Sequence, residues 1–426
     1  MLTISYIRDC FSEVNEGLKK RGRSYENELK EILSLDSQKR KIQTQLNHLQ
    51  AESKSNSRWI AQLNKNHEKQ KAQELIKKTS DLKQQIQELK NQFQQKQEGL
   101  DNLLVHIPNV PHREVPLGKN EDDNIEIFRF QEISNLKQDA LPHWDVAKAN
   151  NLIQFEAGSK IVGSGFPVYV GQMAHLQRAL VNFFLDYNTS AGYKEYAVPL
   201  VVNEQSAFGT GQLPDKDRQM YYIEKDHMYL IPTSEVPLTN LYQDAYLKES
   251  DLPIKMTSYT PCFRREAGTY GTDVRGLNRL HQFDKVEIVR IEKPENSASA
   301  LQKMIEHVKN LLELLELPYR ILKLCGKDLG FAASITYDFE VYSVAQKKWL
   351  EVSSVSNFEA FQSNRLKLRY RDLEKNRHFL HTLNGSALAL PRILACMIES
   401  FQTSTAINIP KVIRAYTGFD AIELST

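Results

Sequence analysis

The stretch FRREAGTYGTDVRGLNRLHQFDKVE, residues 263–287, predicts a strand, a glycine-containing loop and a returning strand. Because side chains alternate between the two faces of a strand, Arg264 and Glu266 share one face of the first strand. Guanidinium groups bind phosphate, an aromatic ring stacks on a base and a carboxylate accepts from an amino group, so this pair of strands predicts a nucleotide site. The alternative is a solvated sheet face held by salt bridges. It explains the charged residues but not the aromatic ring of Phe283 among them. By the same parity, one face of the second strand carries Arg279, His281, Phe283, Lys285 and Glu287.

Strand-like runs on both sides of this stretch come in groups and do not alternate strictly with helices. Amphipathic patterns predict helices near residues 173–188 and 301–315. This order predicts an α+β domain on a mainly antiparallel sheet with flanking helices. The strand-like runs are residues 195–202, 228–231, 255–266, 280–291, 336–344 and 349–354.

A second informative segment is NGSALALPRILACMIES, residues 384–400. Pro391 suits the first turn of a helix, which places Arg392 where the helix dipole disfavours a cation. An anion bound there would be stabilised by both the dipole and the arginine. A surface arginine tolerated at a small cost is the alternative, and this segment alone does not decide between them.

The first hundred residues differ in composition from the rest of the chain. They contain no proline and carry 19 Lys and Arg against 13 Asp and Glu, whereas the remaining 326 residues carry four more acidic than basic residues. The net charge of +2 is therefore a cancellation between two unlike parts. We predict a helical domain at residues 1–104, with an arm at about 26–100, followed by a second domain at residues 105–426.

The arm is predicted from two heptad series, which indicate a long antiparallel coiled coil of two helices. Polar stretches at residues 53–57 and 64–66 are the places where the chain is expected to reverse. A dimerisation coil or spacer is one interpretation of the arm, and a contact with an extended anionic partner is the other. The seam residues are Ile32, Leu35, Lys39, Ile42, Leu46 and Leu49 in the first helix, and Leu82, Ile86, Leu89, Phe93, Lys96, Leu100 and Leu103 in the second.

Several protein classes are disfavoured by what the sequence lacks. The sequence contains no run of 18 apolar residues, so we predict no membrane-spanning helix. Its first residues do not resemble a secretory signal. The four cysteines are widely separated, so we predict neither a disulfide framework nor a zinc site. The same observation favours a cytoplasmic protein. The sequence also contains no P-loop, no dinucleotide fingerprint and no nucleophile elbow.

The segments described so far resemble those of the bacterial-type seryl-tRNA synthetases, which are class II aminoacyl-tRNA synthetases, over nearly the whole length. Residues 192–199 (GYKEYAVP) resemble class II motif 1, residues 263–287 resemble motif 2, and residues 384–392 resemble motif 3. Residues 210–214 (TGQLP) and 230–240 (LIPTSEVPLTN) are similar to segments of the seryl enzymes. The order of these motifs behind a long coiled coil makes the resemblance specific.

The resemblance implies an ATP site in which Arg264 holds the α-phosphate and the serine carboxylate. Glu266 would accept from the adenine amino group, and Phe283 would stack on the adenine. The residues expected to bind ATP are Arg264, Arg265, Glu266, Arg279, Phe283, Glu351, Val352, Ser353, Ser354 and Arg392, of which Arg279 and Arg392 would clamp the β- and γ-phosphates and Glu351 and Ser354 would ligate Mg²⁺.

It also implies a serine site. Thr233 and Glu235 would bind the serine ammonium group, and Glu287 and Ser386 would bind its hydroxyl. The full set expected around serine is Thr233, Ser234, Glu235, Arg264, Glu287, Asn384 and Ser386.

The implied activity is that of a serine–tRNA ligase in two steps. The serine carboxylate attacks the α-phosphorus of ATP, and the resulting adenylate passes serine to the 3′-hydroxyl of tRNA(Ser). Arg264, Arg279 and Arg392 would be catalytic by positioning and charge stabilisation, with no protein nucleophile. The implied partners are ATP, L-serine, tRNA(Ser) and a second copy in a homodimer, while charging of tRNA(Sec) stays open.

Two other functions are alternatives to this one. A synthetase-like ligase that loads a carrier protein has no use for a tRNA-length arm. A non-catalytic RNA-binding or scaffold coiled-coil protein has no reason to keep Arg264, Glu351 and Arg392 together. Both alternatives are therefore disfavoured.

Overall fold

The computed structural model describes residues 1–133, 139–215, 218–265 and 275–425. Its chain forms two compact units. The smaller unit consists of residues 2–19 and 23–108, and the larger one consists of residue 1, residues 20–22 and the chain from residue 109 onward. The domain boundary that we predict at residue 104 stays a prediction.

The smaller unit is helical and is dominated by two long helices. The contacts of Lys39 with Gln97 and of Glu52 with Lys78 show that these two helices run antiparallel. At about 1.5 Å per residue, helices of 40 and 36 residues are roughly 60 and 54 Å long. The predicted coiled-coil arm is confirmed. The four helices are α1 (Ile4–Asp9), α2 (Phe11–Lys19), α3 (Glu26–Lys65) and α4 (Lys69–Leu104).

The chain reverses between Lys65 and Lys69, at the second of the two places expected from the sequence. The other expected place, residues 53–57, is wrong, because α3 continues through it. There the Ser57 hydroxyl donates to the carbonyl of Ser53 at 2.8 Å. A serine that bonds to the carbonyl four residues earlier satisfies its own hydroxyl within the helix, so the polar composition does not end it.

The larger unit contains nine helices and eighteen strands within the described residues. Its helices are α5 (His143–Ala149), α6 (Phe155–Ile161), α7 (Gln172–Ser190), α8 (Glu204–Thr210), α9 (Glu235–Asn240), α10 (Pro294–Leu314), α11 (Ala360–Arg365), α12 (Leu390–Phe401) and α13 (Arg414–Thr417). Its strands are β1 (Ile125–Phe130), β2 (Ile153–Gln154), β3 (Val168–Tyr169), β4 (Lys194–Glu195), β5 (Val201–Asn203), β6 (Tyr222–Ile223), β7 (Met228–Leu230), β8 (Tyr246–Lys248), β9 (Ile254–Phe263), β10 (Gln282–Glu292), β11 (Tyr319–Lys323), β12 (Ile335–Ser343), β13 (Lys348–Glu359), β14 (Arg369–Arg371), β15 (Arg377–Phe379), β16 (His381–Ala389), β17 (Ala406–Asn408) and β18 (Ala421–Glu423).

Eight strands form the central sheet in the order β1-β11-β12-β13-β16-β10-β9-β4. Every neighbouring pair is antiparallel except β4 with β9, which is parallel. The predicted α+β fold on a mainly antiparallel sheet is therefore confirmed. Helix α10 packs against β13 and β16, and α12 packs against β10 and β12. Because helices cover the middle of the sheet, the second half of β10 is buried residue after residue.

Several predicted element bounds need correction. The predicted strand at residues 195–202 is wrong as one element, since it is divided into β4 and β5; Pro199 between them has no N–H for a sheet ladder. The strand predicted at 349–354 continues to Glu359, and the helix predicted from residue 301 already begins at Pro294. A proline is favoured in the first turn of a helix because its missing N–H needs no partner there.

The connection through residues 20–22 offers a stability test. Arg21 is buried, and its guanidinium donates to the carbonyls of Asn109, Leu329, Gly330 and Ala333. A lysine ammonium cannot reach four carbonyls in a plane. We therefore expect Arg21→Lys to lower the free energy of unfolding by about 2–4 kcal/mol.

Urea unfolding followed by circular dichroism measures this loss. Arg58→Lys, on an exposed position of α3, is the matched control and should leave the midpoint unchanged. Equal midpoints for the two variants would contradict the prediction.

Candidate active site

A large cavity of about 1340 Å³ opens over the middle of the central sheet. Its walls come from β10, β13 and β16, from the first residues of α9 and α12, and from the chain just after β9. It brings together thirteen of the predicted site residues: Thr233, Glu235, Arg264, Arg279, Phe283, Glu287, Glu351, Val352, Ser353, Ser354, Asn384, Ser386 and Arg392.

Two predicted site residues do not line this cavity, and a third cannot be placed. Ser234 is fully buried at the start of α9 and does not line the cavity. The Arg265 guanidinium lies over the ring of Tyr221 instead, 5.7 Å from its centroid. Glu266 lies outside the described residues. The assigned roles of all three stay predictions.

Local geometry places a glycine at one corner of the cavity. Gly211 ends α8 with a positive φ of 95°, a conformation that L side chains rarely adopt. A Cβ atom there would lie 2.9 Å from the Cβ of Ala332. The sequence TGQLP therefore combines a helix stop with a close approach of backbone to the opposite wall.

One end of the cavity is built around Glu287, whose side chain is almost completely buried. Its Oε2 accepts from Lys285 at 2.5 Å and from the Thr233 hydroxyl at 3.3 Å. Lys285 also donates to Thr233 at 2.9 Å. The other carboxylate oxygen, Oε1, is buried and has no hydrogen-bond partner among the described residues. A buried acceptor without a partner is costly, so this oxygen is suited to a ligand donor.

A second carboxylate, Glu235, lies in the same end of the cavity. Its Oε1 accepts from Gln362 at 2.7 Å, and its Oε2 accepts from Asn384 at 2.8 Å. Burial, followed by the charge of Glu287, raises the pKa of Glu235 to about 7, although the two amide donors and Lys285 oppose the shift. The two carboxylates share one lysine, so a cationic ligand group would relieve the excess negative charge.

The opposite end of the cavity is rich in guanidinium groups. Arg264 lies over the ring of Phe283 at 5.2 Å, so one side chain supplies a cation and the other a stacking surface. Arg392 is in the first turn of α12, as the sequence predicts, and is partly buried. Its Nε donates to the carbonyl of Asn278 at 2.9 Å and its Nη1 to that of Glu351 at 2.7 Å. These backbone contacts aim the guanidinium along the cavity wall.

Oxygen donors line the wall between the two ends. Asp338 on β12 lies directly opposite Ser354 on β13, and Glu351 lies two pairs further along the same two strands, beyond a register shift. Burial, and then the charge of Glu351, raises the pKa of Asp338 well above its usual range. Asp338 Oδ1 is buried without a partner among the described residues. Among all the residues that the structure describes, no cluster of three His, Cys, Asp or Glu side chains could hold a metal ion.

Sequence reasoning gave no role to three residues of this arrangement. Lys285 stood on the predicted polar face but was assigned no partner, although two residues of spacing from Glu287 indicated an ion pair. Asp338 stood in a predicted strand, and no sequence pattern indicated a partner for it. Gln362, which holds Glu235, gave no signal, because the contact joins residues that are far apart in sequence.

Within the described residues no helix is both long and apolar enough to cross a membrane. Comparison with protein families matches residues 1–111 to the seryl-tRNA synthetase N-terminal domain. Residues 221–401 match the tRNA synthetase class II core domain of the glycyl, histidyl, prolyl, seryl and threonyl enzymes.

Full-length relatives agree with these two matches. The chain is 45% identical to a serine–tRNA ligase of Salinibacter ruber, with 99% of each chain covered. It is 41% identical to a serine–tRNA ligase of Thermodesulfovibrio yellowstonii, with 99% of this chain and 100% of the relative covered. The crystal structure of a seryl-tRNA synthetase from Pyrococcus horikoshii complexed with ATP superposes with a TM-score of 0.92 at 32% identity, over the whole of both chains. The chain thus belongs to the seryl-tRNA synthetase family of class II aminoacyl-tRNA synthetases.

Proposed function

We propose that the chain charges tRNA(Ser) with serine in two steps and that the large cavity is the site of both. In the first step the carboxylate of serine attacks the α-phosphorus of ATP, forming seryl-adenylate and releasing pyrophosphate. In the second step the 3′-hydroxyl of the terminal adenosine of the tRNA takes the seryl group, and AMP leaves. The family, the relatives and the ATP complex of the Pyrococcus horikoshii enzyme support this activity.

The observation that carries the serine assignment is the buried, unpaired Oε1 of Glu287. A serine hydroxyl can donate to it, and the ammonium group of the same ligand can lie between Thr233 and Glu235. Lys285 offsets one of the two carboxylates, so an ionised Glu235 leaves one negative charge for the ligand cation. The pocket is therefore complementary to a small amino acid with a hydroxyl group.

Selectivity follows from the same contact. Alanine would leave Glu287 Oε1 unpaired in a site from which water is excluded, and sites of this kind reject such an analogue by up to about 10⁴-fold. Threonine adds a methyl group next to Thr233 and Ser386, so it must be rejected by volume. A methyl group alone discriminates by only about 10–200-fold, which makes threonine the harder competitor.

The guanidinium groups are proposed to act on ATP. Arg264 would bridge the α-phosphate and the serine carboxylate, which brings the attacking oxygen and the phosphorus together. Arg279 and Arg392 would hold the β- and γ-phosphates and stabilise the leaving pyrophosphate. The ring of Phe283 would stack on the adenine. The guanidinium of Arg264 lies over the same ring, 5.2 Å from its centroid. Protein positioning and charge thus account for the first step without a covalent enzyme intermediate.

Magnesium is proposed to bind with ATP at Glu351 and Ser354. The fit rests on the donor set: a half-exposed carboxylate, a hydroxyl and the unpartnered Oδ1 of Asp338 beside them. Hard oxygen ligands of this kind suit Mg²⁺, which keeps several positions for water and phosphate. When bound, the ion would offset phosphate charge, while Arg392 and Glu351 keep each other in place through the Glu351 carbonyl.

The arm is proposed to bind the tRNA, and the protein is proposed to act as a homodimer in the cytoplasm. The first hundred residues carry six more basic than acidic residues, which favours contact with a sugar–phosphate backbone. The segment that resembles motif 1, residues 192–199, is followed directly by Leu200 and Val201, two apolar side chains that are each 37% exposed. Exposed apolar residues next to the edge strand β4 favour a contact with a second copy.

The first prediction concerns activation of the amino acid. ATP–pyrophosphate exchange should occur with serine in the absence of tRNA, and alanine and threonine should give far weaker exchange. Arg264→Ala should abolish the exchange, because the α-phosphate and the carboxylate lose their common partner. Arg371→Ala, at an exposed position of the short strand β14, is the matched control and should exchange normally. Exchange with a different amino acid and none with serine would refute the serine assignment.

The second prediction follows from the pKa of Glu235, which burial raises to about 7. Below pH 7 this carboxyl is protonated and loses its attraction for the serine ammonium, so kcat/KM for serine should rise about 10-fold between pH 6 and pH 8. In Glu235→Gln the dependence on pH should disappear and KM for serine should be high throughout. A flat profile for the unmodified protein, measured with saturating ATP, would show that Glu235 does not titrate in binding.

The third prediction tests the arm. Lys39 and Gln97 are in hydrogen-bond contact across the two helices, so residues 40–96 can be replaced by a three-residue glycine–serine linker at that level. The shortened protein should retain serine-dependent exchange and lose charging of tRNA(Ser). Charging at an undiminished rate would mean that the arm has another role, and loss of exchange as well would mean that the two units do not fold independently.

A further inference from the structure

His143, the first residue of α5, is completely buried. It lies between α12 and the chain around Leu277, both of which contribute residues to the cavity wall. Its Nδ1 lies 2.8 Å from Oε1 of Glu399 on α12. Its Nε2 lies 2.9 Å from the backbone nitrogen of Leu277. A backbone N–H can only donate, so Nε2 is the acceptor and the ring proton is on Nδ1, where it points at the carboxylate.

The Glu399 carboxylate fixes the orientation of the imidazole. It also accepts from the backbone nitrogens of His143 and Ala345, at 3.2 and 3.3 Å, and from the hydroxyl of Ser343. Burial alone would raise the pKa of Glu399, but the hydrogen bonds from His143 and Ser343 outweigh it and lower the pKa. Both oxygens are thus engaged, and the ring has one orientation that satisfies them.

The imidazole supports the chain that leads into Arg279. Leu277 donates its N–H to His143, and the carbonyl of the next residue, Asn278, accepts from Arg392. The Asn278 amide forms a reciprocal pair with Gln346, at 2.7 and 3.3 Å. Two nearby peptide units are therefore held from α12: the unit 278–279 directly through Arg392, and the unit 276–277 through Glu399 and His143.

Gly276 shows how closely this chain approaches the ring. Its φ is +66°, and a Cβ atom built there would lie 2.3 Å from Nε2 of His143. The backbone can therefore reach the imidazole only because residue 276 is a glycine. The close approach and the hydrogen bond to Leu277 are separate observations that place the same ring against the same segment.

We propose that His143 is a positioning residue for ATP: its Nε2 fixes the backbone at Leu277 and thereby sets Arg279, two residues later, against the β- and γ-phosphates. The inference rests on the proposed function in that Arg279 and Arg392 are taken as phosphate ligands. Its effect is specific to one substrate. Thr233, Glu235 and Glu287, at the serine end, are held by Lys285, Gln362 and Asn384 and have no contact with His143 in the described structure.

Two substitutions of His143 separate its two hydrogen bonds. In His143→Asn the side-chain amide nitrogen can take the place of Nδ1 and keep the bond to Glu399, while nothing remains to accept from Leu277. In His143→Gln the side-chain oxygen can reach the place of Nε2 and accept from Leu277. We expect His143→Asn to raise KM for ATP about 10-fold in the exchange reaction, and His143→Gln to stay within about threefold of the unmodified protein. KM for serine should change less than twofold in both.

His307 provides a matched control. It is largely buried, its Nε2 lies 2.7 Å from Oδ1 of Asn188, and it does not line the cavity. His307→Asn should leave KM for ATP unchanged. Hydrogen–deuterium exchange at the amide of Leu277 gives a readout that needs no activity: it should become faster in His143→Asn and remain slow in His307→Asn.

Three outcomes would overturn the inference. They are an unchanged KM for ATP in His143→Asn, equal effects of the asparagine and glutamine variants, and an equal rise of KM for ATP and serine. A different result would indicate failure of the proposed function itself. If Arg279→Ala and Arg392→Ala leave KM for ATP unchanged, the phosphates do not bind there, whatever the His143 variants do.

Discussion

The ion pair of Lys285 with Glu287 is the interaction on which the catalytic unit depends, because β10 carries charges into the middle of a covered sheet. Both side chains are almost fully buried, and three residues after Glu287 a second buried pair forms on the same strand, between Arg290 and Glu292. Buried ions are tolerated only when they are paired and hydrogen-bonded. The order of partners along β10 is therefore constrained more tightly than its apolar residues are. Lys285 must face Glu287, and Thr233 must lie where it can bond to both.

This constraint spreads outward from the pair to several elements. Thr233 fixes the start of α9 by accepting from the backbone nitrogen of Glu235 at 3.2 Å. Glu235 in turn needs Gln362 from α11 and Asn384 from β16, and Gln362 needs the hydroxyl of Thr382. One buried charge pair on β10 thus recruits polar groups from the start of α9, from α11 and from β16. Among the described residues, this network leaves two buried oxygens without a partner, Oδ1 of Asn384 and Oε1 of Glu287, and the second is suited to a ligand hydroxyl.

The sequence predicted the arm and the sheet because both depend on periodic patterns. The heptad series placed α3 and α4, and strand parity placed Phe283 and Glu287 on one face, although Arg264 and Arg279 lie just beyond the ends of β9 and β10. Contacts between distant residues gave no pattern. Asp36, which is buried in the arm between Arg8 and Arg40, stands one position after the seam residue Leu35. His143 stands more than a hundred residues before Leu277 and on no periodic face, so no sequence pattern connects the two residues.

The two ends of the cavity solve opposite electrostatic problems, and this explains why their residues behave differently in the ligand-free protein. At the end of the cavity that we propose for serine, two buried carboxylates, Glu235 and Glu287, face one cation, Lys285. The pKa of Glu235 is therefore raised, and this carboxyl can lose its proton when an ammonium group binds. At the phosphate end, arginines cannot lose a proton near neutral pH, so their charge must be held apart by fixed contacts. Arg392 is held by two carbonyls and Arg264 by an aromatic ring. Protonation adjusts one end and rigid positioning adjusts the other. This accords with the role that we propose for His143, which is buried and does not line the cavity, at the end proposed to bind phosphate.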